Sequence, residues 1–180
     1  MDQGRIAPAE EFGGISLLDR LKVMDEVARY AWAWDSGSVE EYLDRYAPDG
    51  ALEHPTPDGE PGYHRGREAI GAAISANMVG RPGNSYALQH NFSALRLEPE
   101  GLDIQAHAYC AVLRHEFHRL YWPHGPSLRM GTWHACYTRV DDSWRIKLLS
   151  VRMWTDTAFN SGTAIQDRRP GMVGTGSPFG

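Results

Sequence analysis

Apolar and polar positions recur at two periods along this chain, helical before residue 80 and strand-like after it. Leu17, Leu21, Met24, Ala28 and Ala31 fall on one stripe at ~100° per residue, the repeat of an amphipathic helix. Ser16 with Asp19 is a capping-box start for that helix, which is expected to run to Trp34. Asp35 lies in line with the stripe, so an acid ends a face meant for the core. Ser38 with Glu41 opens a second, short helix through Tyr46, stopped by Ala47-Pro48-Asp49-Gly50. Ala51 to His54 reads as a brief strand and Pro55 to Gly66 as a Pro/Gly-rich loop. Arg67 to Met78 is the third helix, with Ile70 and Ile74 inward.

After Gly83 the period falls to two. Ser85 to Glu98, Leu102 to Tyr121, Met130 to Val140 and Trp144 to Thr155 are expected as four strands of an antiparallel meander. Helices first and a meander after make the fold α+β. Strands this long accumulate twist, so a strongly curved sheet wrapped round three helices is expected, with a cavity between the layers. The expected organisation is an N-terminal arm over 1–14, one domain over 15–159 and a Gly/Pro-rich tail over 160–180.

Composition narrows the partners. A net charge of −5 and no dense Lys/Arg run argue against nucleic acid. No apolar run approaches the ~20 residues of a membrane span. Two cysteines and no apolar leader point to reduced thiols and a cytoplasmic location. Six tryptophans and eight tyrosines suit a pocket for a hydrophobic ring-bearing small molecule. Its candidate contacts are Trp34, Phe92 and Tyr137 on regular elements, with Tyr63 and Trp122 in loops that would cover the cavity mouth. Trp133, Tyr137, Leu149, Val151 and Met153 oppose the parity of Trp144, Ile146 and Leu148 or lie on the neighbouring strand. Two apolar sheet faces would call for a homodimer or homotrimer.

The chemistry centres on His90, which shares the even, apolar positions of its strand with Tyr86, Leu88, Phe92 and Ala94. Burying an unpaired carboxylate is costly, so Asp35 needs a partner or solvent. An aspartate bonded to one imidazole nitrogen fixes the tautomer and the ring orientation, an arrangement suited to proton abstraction. His115, on the next strand, returns to the same sheet region through the turn Pro99 to Gly101. Arg152, late in the last strand, is a candidate contact for an anionic or carbonyl oxygen. Tyr30 stands about 140° from Asp35 on an ideal helix, and spacing gives no reason to place it with them. His115-Glu116-Phe117-His118 alternates faces, and His107 is ~26 Å along the strand from His115. Neither a metal centre nor a cofactor is expected.

These residues bring a family into view. The helix ending Tyr30 to Asp35, the segment Tyr46-Ala47-Pro48-Asp49-Gly50, the run Gly66-Arg67-Glu68-Ala69-Ile70, Gln89-His90 and Asp142-Ser143-Trp144-Arg145-Ile146 follow in the order of the SnoaL-like branch of the nuclear transport factor 2-like superfamily. Over about Leu17 to Phe159 the chain most resembles scytalone dehydratase and the bile-acid dehydratases. The resemblance implies a cone-shaped α+β barrel with an Asp-His dyad at its base, at Asp35 and His90. It implies a second histidine at His115 by analogy with the first family, and a tyrosine and an arginine at Tyr30 and Arg152 by analogy with the second. The asparagine that assists in scytalone dehydratase falls at or next to Tyr137, so polar contacts to the substrate are expected to differ. The implied activity is that of a cofactor-independent lyase, most simply a dehydratase, acting on a hydrophobic cyclic or aromatic molecule. An isomerase would use the same groups, and the same fold also serves non-catalytic binding and assembly modules.

Overall fold

The computed structural model describes residues 11–55, 61–78, 86–116 and 127–153, without the side chains of residues 11, 54, 55, 61, 76, 77, 86, 87, 114–116, 127, 128 and 153. A tight hairpin of β1 (Glu11–Phe12) and β2 (Ile15–Ser16) opens it, turned by Gly13 and Gly14 at positive φ. The end of the expected arm thus carries an element of its own. In α1 (Leu17–Ser36) the Ser16 hydroxyl accepts from the Asp19 backbone N–H at 3.1 Å and donates to its carboxylate at 2.7 Å. Gly37, at φ 75, closes the helix in the left-handed conformation.

After α2 (Val39–Leu43) come β3 (Tyr46–Pro55), β4 (Pro61–Arg65) and α3 (Gly66–Met78). The long strands β5 (Tyr86–Glu100), β6 (Asp103–Glu116), β7 (Ser127–Val140) and β8 (Ser143–Met153) follow. One six-stranded sheet runs β4-β3-β8-β7-β6-β5, antiparallel throughout except for the β3–β8 pair. The expected four-strand meander is therefore extended by two strands. Tyr46 begins a strand instead of ending a helix, and part of the expected Pro55 to Gly66 loop is β4. Between Tyr46 and Ala51 the β3 register breaks, and the chain presses Gly50 against β8. A Cβ at Gly50 would lie 2.6 Å from the Ile146 carbonyl oxygen, which only glycine avoids.

The buried face of α1 is not the predicted one. Val23, Val27, Tyr30 and Ala33 enter the core, while Leu17, Leu21 and Met24 remain 50%, 55% and 50% exposed. The helix carries two apolar stripes about 120° apart at helical spacing. The stripe bearing β-branched and aromatic side chains fills the inner face, where Tyr30 meets Tyr42 and Trp133 with ring centroids 5.3 and 5.6 Å away.

Two bulges decide which strand residues face inward. In β5 the register shifts between Ser93 and Arg96, where Ala94 adopts φ 52. Leu88, His90 and Phe92 pack toward the core before the bulge, Leu95 and Leu97 after it, and Ala94 is exposed, contrary to simple alternation. In β8, Lys147 is the extra residue: Ile146 pairs with Tyr137 and Leu148 with the adjacent Cys136. Leu149 and Val151 therefore join Trp133, Tyr137, Trp144 and Ile146 in one interior cluster. Trp133, Tyr137, Leu149 and Val151 thus form no second apolar face, and the side chain of Met153 lies outside the described residues.

Candidate active site

The C-terminal end of α1 and the middle of β5 meet at Asp35 and His90. The His90 backbone N–H donates to Asp35 Oδ2 at 2.9 Å, and His90 Nδ1 lies 2.6 Å from Asp35 Oδ1. Both side chains are largely withdrawn from solvent, at 8% exposure for the histidine and 16% for the aspartate. An ionised carboxylate only accepts, so Nδ1 carries the hydrogen, and in neutral imidazole Nε2 then holds the basic lone pair. No hydrogen bond to Nε2 forms among the described residues.

Three aromatic side chains enclose the imidazole. Phe92 stacks on it at 6.4 Å and 28°, Trp34 meets it edge-on at 6.0 Å, and Tyr30 stands T-shaped at 6.5 Å. The angular separation of Tyr30 from Asp35 does not keep it out of the site. His90 meets the carboxylate on one flank of the helix and the phenol on another. Burial, then the neighbouring Tyr42, pushes the Tyr30 hydroxyl well above the usual tyrosine range, so it stays a neutral donor.

Cys110 borders the same space, a residue that sequence reasoning treated only as a marker of redox compartment. It pairs with Phe92 across β5–β6 and is 1% exposed. Burial first, then the charge of Asp35, pushes its thiol up to about 12, which keeps it protonated beside the dyad. The signal available in the sequence was its even position on β6 with Ile104, Ala106, Ala108 and Val112.

The remaining predicted residues are placed less favourably. His115 pairs with Ala87, whereas His90 pairs with Val112, an odd three positions away. The register thus gives a second histidine beside His90 no support. Arg152 pairs with Thr132 in register and with Glu53 through a 2.6 Å ion pair. The bulge at Lys147 puts it out of step with the inward Leu149 and Val151, so its predicted contact with the site is corrected to an ion pair on the outer side of the sheet. Tyr137 is fully buried but pairs with Ile104 and Ile146, with Trp133 between it and the His90 neighbourhood. Tyr63, on β4, is 54% exposed and its hydroxyl accepts from Arg65 at 3.0 Å. Trp122 lies outside the described residues. His107 bonds His134, Nδ1 to Nδ1 at 2.6 Å, and among the described residues no group of three ligands converges on a metal position. No helix among them is long and apolar enough to cross a membrane.

Three helices against a curved, mostly antiparallel sheet, with an acid and an imidazole joined between the layers, define an α+β protein of the cystatin-like class. The SnoaL-like domain family matches residues 16–150, and the chain belongs to that family. No curated protein matches the sequence. Among solved structures, a Catenulispora acidiphila protein in complex with S-DNPA is 24% identical, with TM-score 0.64 over 79% of this chain and 98% of its own. A putative scytalone dehydratase from Novosphingobium aromaticivorans is 13% identical, with TM-score 0.61 over 76% of this chain and 85% of its own. A cystatin-like protein of unknown function from Nostoc punctiforme is 20% identical, with TM-score 0.61 over 77% and 92%. At these identities the likeness is one of fold.

Proposed function

We propose that the protein is a cofactor-independent lyase of the dehydratase type, acting on a hydrophobic cyclic or aromatic small molecule held in a cone-shaped cavity. The observation that carries this reading is the double hydrogen bond from His90 to Asp35, which orients an imidazole inside an aromatic enclosure. Nε2 takes a proton from a carbon next to a carbonyl or phenol. The electron pair released forms the new double bond as the neighbouring C–O bond breaks, and the proton passes from the imidazolium to the departing hydroxide, which leaves as water. The neutral Tyr30 hydroxyl donates to the oxygen on which charge develops. With Arg152 committed to Glu53, Tyr30 is the preferred residue for that role. A related fold carries the name of a putative scytalone dehydratase and another binds S-DNPA, both in keeping with a small-molecule pocket.

The test is His90→Gln, whose amide keeps a hydrogen bond to Asp35 but is no base. Turnover of cyclic alcohols carrying an activating carbonyl or phenol, followed by mass spectrometry as loss of water, is expected to fall by at least ~10²-fold with the fold intact. Turnover near that of the parent protein would remove His90 from the chemistry.

A further inference from the structure

Trp133 on β7 is completely buried, yet its indole Nε1 has no hydrogen-bond partner among the described residues. A buried N–H without an acceptor carries its full desolvation penalty, so such a group is rarely left unmatched without a reason. Its surroundings indicate what it is for. The ring is 5.1 Å from Phe92 and 5.6 Å from Tyr30, both of which contact His90. The indole nitrogen and the Tyr30 hydroxyl are neighbours, so an N–H and an O–H approach one region. The sheet beneath is low there: Phe92 pairs with Cys110, Cys110 with Gly131, and Trp133 with Ala108.

We infer that Trp133 Nε1 is the donor for an oxygen of the bound ligand, one aromatic ring away from His90. The inference rests on the reading of this space as a small-molecule site and narrows its substrate class. The ligand is an aromatic molecule whose carbonyl or phenolic oxygen meets both the Trp133 N–H and the Tyr30 O–H, the oxygen on which charge develops when His90 takes the proton. Trp133 is in this role a specificity residue, since a ligand lacking the oxygen leaves the indole unmatched.

The test compares two probes of nearly equal shape, 2-acetylnaphthalene and 2-isopropenylnaphthalene, which differ in a carbonyl oxygen. With the tryptophan indoles labelled with ¹⁵N, the ketone is expected to shift the Trp133 indole N–H resonance and the alkene to leave it in place. The ketone is also expected to bind about tenfold more tightly, the scale of one neutral hydrogen bond, and Trp133→Phe to erase that preference without weakening the alkene. Should Trp133→Phe not fold, the resonance is assigned through its contacts to Phe92 and Tyr30, and the shift alone decides. An unmoved Trp133 signal, equal affinity for the probes, or an equal loss of both in Trp133→Phe would overturn the inference. Because binding is read without turnover, an active His90→Gln variant that retained the ketone-induced shift would sink the lyase reading and leave this one standing.

Discussion

Tyr30 and Asp35 stand five residues apart on α1, and both meet His90 of β5, one through ring contact and the other through two hydrogen bonds. One helix end thereby brings a neutral phenol ring and a carboxylate orienter against a single imidazole. The two hydrogen bonds that Asp35 accepts also tie α1 to β5, so the carboxylate has a structural role beside its proposed chemical one.

Those roles separate in two substitutions. Asp35→Ala leaves the His90 backbone N–H and Nδ1 without their acceptor and is expected to cost about 2–3 kcal/mol of stability. Asp35→Asn is expected to cost less stability but at least ~10²-fold in turnover. An amide NH₂ turned toward Nδ1 forces the hydrogen onto Nε2, the wrong tautomer for a base. Urea unfolding and steady-state rates on the same preparations check both. Asparagine with parental turnover would reduce Asp35 to a fastener.

Ala94 sits in the left-handed region at the β5 bulge, a conformation that costs an alanine about 1–2 kcal/mol. Glycine relieves that strain while adding freedom to the unfolded chain worth ~0.5–1 kcal/mol. Ala94→Gly is therefore expected to be neutral or stabilising by up to about 1 kcal/mol, and Ala94→Val to be destabilising, as read from urea midpoints. A clear loss of stability in Ala94→Gly would contradict the strained geometry.

The same bulge shows where sequence reading ends. The capped start of α1 at Ser16, the inward pair Ile70 and Ile74, and His90 on the apolar side of its strand were legible because local spacing determines them. Bulges at Ala94 and Lys147 each invert the alternation beyond them through one unpaired residue, and nothing in the hydrophobic pattern marks that residue. α1 posed a different problem. With two apolar stripes on one helix, spacing alone could not say which was buried, and the choice fell to packing of Tyr30 against Tyr42 and Trp133. Tyr30 was accordingly placed by family resemblance and not by periodicity.

Acid should weaken the fold through Asp19. Burial alone would raise its pKa. Hydrogen bonds from the Ser16 hydroxyl and Trp144 indole, with the charges of Arg139 and Lys22, together hold it below the usual carboxylate range. A folded-state pKa below the unfolded value of ~3.9 means that the unfolded chain binds more protons there. The stabilisation is complete above that value and is lost as pH falls through the lower, folded-state pKa. Asp19→Asn is expected to lower stability at pH 7 and to flatten the acid limb below about pH 4 in urea midpoints taken across pH. A parallel displacement of the whole profile would assign the acid limb to other carboxylates, Asp103 first, whose pKa is lowered by its hydrogen bond from Lys147.

Arg152 offers the sharpest contrast between resemblance and structure. Its place near the end of the last strand matches an arginine that serves the site in the bile-acid dehydratases, but the extra residue at Lys147 turns this stretch of β8 over. The guanidinium reaches Glu53 on β3 at 2.6 Å, with the arginine side chain 40% and the glutamate 23% exposed. An ion pair so open to water is worth at most about 1 kcal/mol. Arg152→Met preserves the aliphatic stem and removes the charge. It is expected to leave turnover within about twofold of the parent, a change equivalent to less than 0.5 kcal/mol at the transition state. Stability should fall by no more than about 1 kcal/mol, and Glu53→Gln should change it by a similar amount with no further loss in the double variant. A drop in kcat of ~10²-fold for Arg152→Met, with Glu53→Gln silent, would mean that the guanidinium leaves its partner and enters the site during the reaction.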